Sequence, residues 1–144
     1  MPTLRLSQTI ERPASDVFGV LVDVANIAKW NPTVTASRQL SAGAARNGTQ
    51  FEMTVRGFGN VPQTLEEVEP NRRARYVPHF QAMAGGHRFM LTAQGAQTQV
   101  DHELEMVPQG WFKLFGPLMG MMGRKNLRAT ADALKKYVED MPSK

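Results

Sequence analysis

The chain has no cysteine in its 144 residues, which excludes disulfides, thiolate metal sites and cysteine nucleophiles. Histidine is scarce too: the three present fall on separate predicted strands without local ligand spacing, so no metal and no other cofactor is expected. There is no GxSxG elbow, no HExxH, no P-loop and no GxGxxG after a strand. The longest apolar stretch, around Trp111 to Met122, is broken by Lys113 and is too short to cross a bilayer. The opening MPTLRLSQTI lacks the basic start and apolar run of a signal peptide, so a cytoplasmic protein is expected. Repeats, low-complexity segments and linkers are also missing, which leaves one domain over residues 1–144 as the simplest organisation.

What is there suits a folded domain. Hydrophobic residues make up 42% and charged residues 21%, and the net charge is +4. That mild positive bias favours approach to anionic surfaces without naming a partner.

The last third, about Gly116 to Met141, organises the rest. Gly116, Gly120, Gly123, Leu127, Ala131, Leu134, Val138 and Met141 recur at steps of three and four, the period of an amphipathic helix on a core. Its second half is ordinary core, but its first half is glycine, which costs about 1 kcal/mol per residue relative to Ala in a helix interior. Either one helix runs throughout, with something packed closely against its glycine half or that half hollowed out to roof a cavity, or the glycines mark a break and the helix starts near Arg124. Leu118, Met119, Met121 and Met122 alongside would supply an adaptable apolar surface.

Ahead of that helix the pattern changes. Leu4, Leu6 and Ile10 alternate with polar residues as a half-buried strand, which Pro13 ends. Val17, Phe18, Leu21 and Val22 have helical spacing, Ala25 to Ala28 suggest a second short helix, and Trp30-Asn31-Pro32 stops it. From Thr33 to Pro108 everything reads as strands. Val34, Ala36, Arg38 and Leu40 share one parity, as do Phe51, Met53 and Val55. Val61 to Glu69 and Arg72 to Phe80 follow, with Ala84-Gly85-Gly86 read as a turn. His87, Phe89 and Leu91 come next, then Val100, His102, Leu104 and Met106. Short turns between successive strands imply an antiparallel meander, hence an α+β domain: a curved sheet of about seven strands around a long C-terminal helix. Trp30, Phe51, Phe89, Leu104, Leu127 and Leu134 are expected around one core.

Several short stretches carry a family resemblance. They are Glu11-Arg12-Pro13 before Val17-Phe18, Asp23, Trp30-Asn31-Pro32, the glycine loop ending at Gly48 before Phe51, Val68-Glu69-Pro70 with Arg72 or Arg73, Thr98 to Glu103, and Leu134-Lys135-Lys136. Over nearly the whole chain this resembles the START-like SRPBCC superfamily, and within it the polyketide cyclase/dehydrase-like group. The resemblance implies a helix-grip fold with two short helices after the first strand. It also implies binding of a hydrophobic small molecule, lipid or polyketide-like, between sheet and helix. Members include carriers, cyclases, hydrolases and lipid-transfer proteins, and no catalytic signature carries over, so fold does not settle function.

Parity selects the candidate site. Arg38, Phe51, Met53, Tyr76, His87, Phe89 and His102 are read as pointing to the concave face, with Phe115, Met119, Gly120 and Gly123 opposite them. His102 is a functional group in a cavity or a core histidine satisfied by a neighbour. Tyr76 suits a cavity wall or plain packing. Arg38 is a ligand anchor or half of an ion pair. Glu66 is held out of phase by Leu65 unless a bulge near Pro62 swaps them. If the domain is an enzyme working on a polyketide-like chain, His102 or Tyr76 would move the proton. Arg124, Lys125 and Arg128 beside Trp111, Phe112 and Phe115 suit a transient membrane-surface contact or an ordinary solvated helix start. Nucleic acid is disfavoured, because Arg72, Arg73 and Arg75 have no interleaved stacking aromatics. Ligand identity and oligomeric state are not legible.

Overall fold

A computed structural model describes residues 3–79, 83–108 and 116–142, with backbone alone at 83, 84, 106–108 and 116–120. Strand β1 (Thr3–Ile10) leads into helix α1 (Ala14–Val22) and a 3₁₀ helix (Val24–Lys29). Strands β2 (Val34–Gln39), β3 (Gln50–Val55), β4 (Gly59–Glu69), β5 (Arg73–Pro78), β6 (Met83–Gln94) and β7 (Gln97–Pro108) follow, and α2 (Gly116–Glu139) closes the chain. The seven strands form one antiparallel sheet in the order β1-β7-β6-β5-β4-β3-β2. Only the step from β1 to β2 leaves the meander: the two short helices carry the chain from one edge of the sheet to the other.

Local sequence accounts for these elements. Gly95-Ala96 joins β6 to β7 as a two-residue hairpin, with Gly95 at φ 69°, the left-handed geometry such tight turns require. Asn71 turns β4 into β5 at φ 62°, one of the few side chains at home there. In α2, Pro117 occupies the first turn, where its missing N–H is no loss, and Pro142 follows the end. The glycines therefore do not break the helix. It runs continuously from Gly116 and lies along β1 and β7, with Leu127, Ala131, Leu134 and Val138 buried.

The sequence marks Ala84-Gly85-Gly86 as a turn, but the backbone runs through it as β6. Both glycines have positive φ, 113° and 120°. A Cβ at Gly85 would collide with the Glu105 carbonyl oxygen, and one at Gly86 with that of Tyr76. Glycine here bends a strand between two close neighbours.

The six expected core residues are all buried, but around two centres. Trp30, Phe51, Phe89 and Leu134 belong to the main cluster, in which Tyr76 stands edge-on to Phe51 and Phe89. Leu104 and Leu127 form a second cluster with Leu4 and Leu6. No helix among the described residues is long and apolar enough to cross a membrane.

Candidate functional site

A cavity of about 320 Å³ lies between the first half of α2 and the sheet. Met53 and Val55 of β3, Val61 and Gln63 of β4, Pro78 of β5, His87 of β6 and Leu104 of β7 line it. Met122, Gly123 and Asn126 of α2 and Asn31 to Val34, which lead into β2, also line it, as do Arg56, Phe58, Gly86 and Glu105. The volume is at the small end of the range for ligand sites, about 300–1,000 Å³. The lining is mostly apolar with a few polar groups, the composition such sites share.

Two polar groups stand out. Gln63, only 6% exposed, faces the cavity and its amide makes no hydrogen bond among the described residues. His87 is half-buried, and its Nδ1 lies 2.8 Å from His102 Nε2. His102 is the deeper of the two, 1% exposed, with Phe89 stacked on it at 4.2 Å and its Nδ1 sealed without a partner among the described residues. Burial draws His87 down to about 4, and it draws His102 well below its ordinary value, with the charge of His87 adding to the effect. Both rings are therefore neutral near pH 7. The pair comes from the β6–β7 register, which sets His102 against Phe89 and Leu104 against His87. A hairpin counted outward from Gly95-Ala96 would have brought the two histidines together from the sequence.

Not every candidate reaches the cavity. Tyr76 is core: its hydroxyl donates to the Leu21 carbonyl at 2.5 Å, and burial pushes the phenol far above its ordinary value. Phe51 and Phe89 are fully buried in the main cluster. Arg38 points the other way, its side chain 69% exposed and paired with Glu52 at 2.6 Å. The reason is a register shift between Val34 and Ala36, which reverses the parity read from β2. Met53, His87 and Gly123 do line the cavity. Phe115, like Phe80, Trp111 and Phe112, lies outside the described residues, as do the side chain of Met119 and the surroundings of Gly116 and Gly120.

A bulge does interrupt β4, at Glu66 to Glu69 and not near Pro62, with Glu67 at φ 52°. It leaves Glu66 exposed and brings Glu67 against three arginines on the outer face: Arg73 at 3.3 Å, Arg75 at 3.2 Å and Arg88 at 2.9 Å. Arg88 also reaches Glu103 and Glu105. Arg73 and Arg75, two of the three arginines that hinted at nucleic acid, are thus matched by carboxylates. Hydrogen bonds from Arg88 above all draw Glu67 down to about 2. No group of three or more possible metal ligands occurs among the described residues.

A family model described as "Polyketide cyclase / dehydrase and lipid transport" matches residues 1–139. No curated protein matches the sequence. Among solved structures, a START superfamily protein from Mycobacterium smegmatis superposes with a TM-score of 0.75 at 17% identity, covering 97% of this chain and 99% of that one. The ZhuI aromatase/cyclase from Streptomyces sp. R1128 superposes at 0.74 with 16% identity, over 96% and 93% of the two chains. Norcoclaurine synthase from Thalictrum flavum, in complex with dopamine and hydroxybenzaldehyde, gives 0.73 at 14% identity, over 99% and 89%. At such identities the likeness is one of fold.

Proposed function

Because the chain belongs to the polyketide cyclase/dehydrase and lipid-transport family, we propose that it binds a small, largely apolar molecule, lipid or polyketide-like, between α2 and the sheet. The observation that carries this reading is the cavity itself: Met53, Val55, Val61, Leu104 and Met122 around about 320 Å³ of space. Well-packed interiors leave few voids larger than a water molecule, so a space of this size and polarity is suited to a guest. Val61→Phe is the test. Phenylalanine should fill part of the cavity, abolish uptake of an apolar fluorescent probe and leave the melting temperature within a few degrees. A variant that takes up probe as before counts against binding here. If the space were already packed, the larger side chain would instead cost about 1–3 kcal/mol.

A cyclase- or dehydrase-type reaction on a polyketide-like chain is the second reading, and the histidine pair on the cavity wall favours it. In that case His87 is the group within reach, since Tyr76 is committed to Leu21 and His102 lies behind His87. A general base works best when its pKa is near the working pH. At about 4, His87 is a weak base, so carriage ranks above catalysis. What supports a transient membrane-surface contact is the cavity's edge. Met121 and Met122 are 68% and 55% exposed beside the exposed cations Arg124, Lys125 and Arg128.

A further inference from the structure

Resting on the binding reading, we propose that His87 is the cavity's hydrogen-bond anchor for a neutral oxygen acceptor on the ligand (a ketone, ester or amide carbonyl), and that His102 is a positioning residue that sets the tautomer of His87.

The argument starts from one hydrogen. A single proton lies between His87 Nδ1 and His102 Nε2, 2.8 Å apart. If His87 carried it, the neutral His102 would bear its own proton on Nδ1, an atom sealed from solvent and without a partner among the described residues. If His102 carries it on Nε2, its Nδ1 is only an unused lone pair. Orphaned buried N–H donors are rarer than underused acceptors, so the second arrangement is favoured. His87 Nδ1 then accepts, and the ring's remaining proton sits on Nε2. That atom has no partner among the described residues and is not sealed, on a residue that lines the cavity. His87 therefore offers the cavity a fixed N–H donor. Phe89, stacked on His102, holds the donor's support in place.

The charge of the ligand follows from the same surroundings. A cation would find a donor where it needs an acceptor. A carboxylate placed on His87 would be buried against a neutral ring, because Arg75 and Arg88 are engaged with Glu67 and Glu105 on the outer face, and Arg56 on the cavity lining is exposed and donates to the Pro32 carbonyl. The side-chain amide of Gln63, across β5 on the same face, adds a second polar group without a partner among the described residues, one that can donate or accept. A neutral carbonyl compound fits this combination; a hydrocarbon leaves both groups unmet, and a carboxylate placed on His87 meets a neutral ring.

The test uses 6-propionyl-2-(dimethylamino)naphthalene and its 6-propyl counterpart, which differ in one carbonyl, together with long-range ¹H–¹⁵N spectra of the histidine rings. The ketone should bind roughly five- to tenfold tighter than the propyl compound, the worth of one net hydrogen bond. His87→Phe should erase that preference while the propyl compound still binds. His102→Phe should weaken the preference, and His102→Gln, whose amide can still donate to His87 Nδ1, should restore it. The unliganded protein should show His87 protonated at Nε2. Equal binding of the two compounds by the native chain, or an Nδ1-protonated His87, overturns the anchor and leaves the cavity reading standing. If neither compound binds, the cavity reading falls and the anchor falls with it.

Discussion

On the inner face of β6 and β7 stand His87, Phe89, His102 and Leu104; one position along, on the outer face, stand Arg88, Glu103 and Glu105. The same two strands present opposite chemistries through the period of two alone. Outside, charge is dense but satisfied. Arg75 and Arg88 are about a quarter exposed, Glu103 is only 10% exposed, and each has a partner of opposite sign. Inside, these two strands carry no charged side chain and polarity is left open: among the described residues one ring nitrogen of His102 has no partner, and the side-chain amide of Gln63 makes no hydrogen bond. Groups that satisfy one another stabilise a fold. Polar groups left waiting in an apolar space cost it stability, and a ligand is what can complete them.

The largest expected effect comes from cutting into each face in turn. Phe89→Ala removes a fully buried ring that touches Tyr76 and His102, and should cost about 3–5 kcal/mol. Thr92→Ala, on an exposed stretch of the same strand, should stay within about 0.5 kcal/mol. Thermal melts of the two proteins should differ by ten degrees or so. Similar melting temperatures would mean that the two faces are not as unlike as their packing indicates.

Acid separates the faces by pH window. His87 titrates near 6.5 when unfolded and at about 4 when folded. Between those values the unfolded chain binds more protons, so stability falls as pH drops from 6.5 towards 4. At about 1.4 kcal/mol per pKa unit, the loss is on the order of 3 kcal/mol. Glu67 behaves differently: its stabilisation is complete above 4.5 and is lost as pH falls from 4.5 to about 2. Chemical denaturation across pH should therefore fall in two stages. Replacing His87 and His102 with Gln should flatten the upper stage only. Glu67→Gln should cost about 1–2 kcal/mol at pH 7, since the cluster is partly solvated, and flatten the lower stage only. A Glu67→Gln protein that still loses stability below 4.5 as the native chain does would detach the outer network from the acid response.

The fold was legible because it rests on periods. The stripe from Leu127 to Val138 and the alternation of β7 are long enough to survive local irregularities. The site was less so, because it turns on register. In β2 the shift between Val34 and Ala36 is invisible to a parity count, and it carried Arg38 to the outer surface. In β4 the bulge at Glu67 created the arginine cluster from a residue with no pattern of its own. Gly85-Gly86 read as a turn, because glycine is a turn residue and a close-approach residue alike. His87 and His102 were each visible singly. Their contact depended on counting from a two-residue hairpin whose Gly-Ala signal is weaker than Asn-Gly would be.

The smallest effect is expected at the roof, and it tests whether the inner face has room to spare. Gly123 lies in the interior of α2 and lines the cavity. Alanine in a helix interior is favoured over glycine by about 1 kcal/mol, and part of that gain comes from the restricted unfolded chain. If the added methyl enters open space, Gly123→Ala should raise stability by up to about 1 kcal/mol while weakening probe uptake slightly. If the helix needs glycine there because the sheet approaches closely, the methyl meets packed atoms and the sign reverses, to a loss of about 1–3 kcal/mol. Denaturant midpoints separate the two outcomes, because they differ in sign as well as in size. A destabilised Gly123→Ala would make the glycines of α2 a packing device and would confine the cavity to the sheet side, between Met53, Val61 and Leu104.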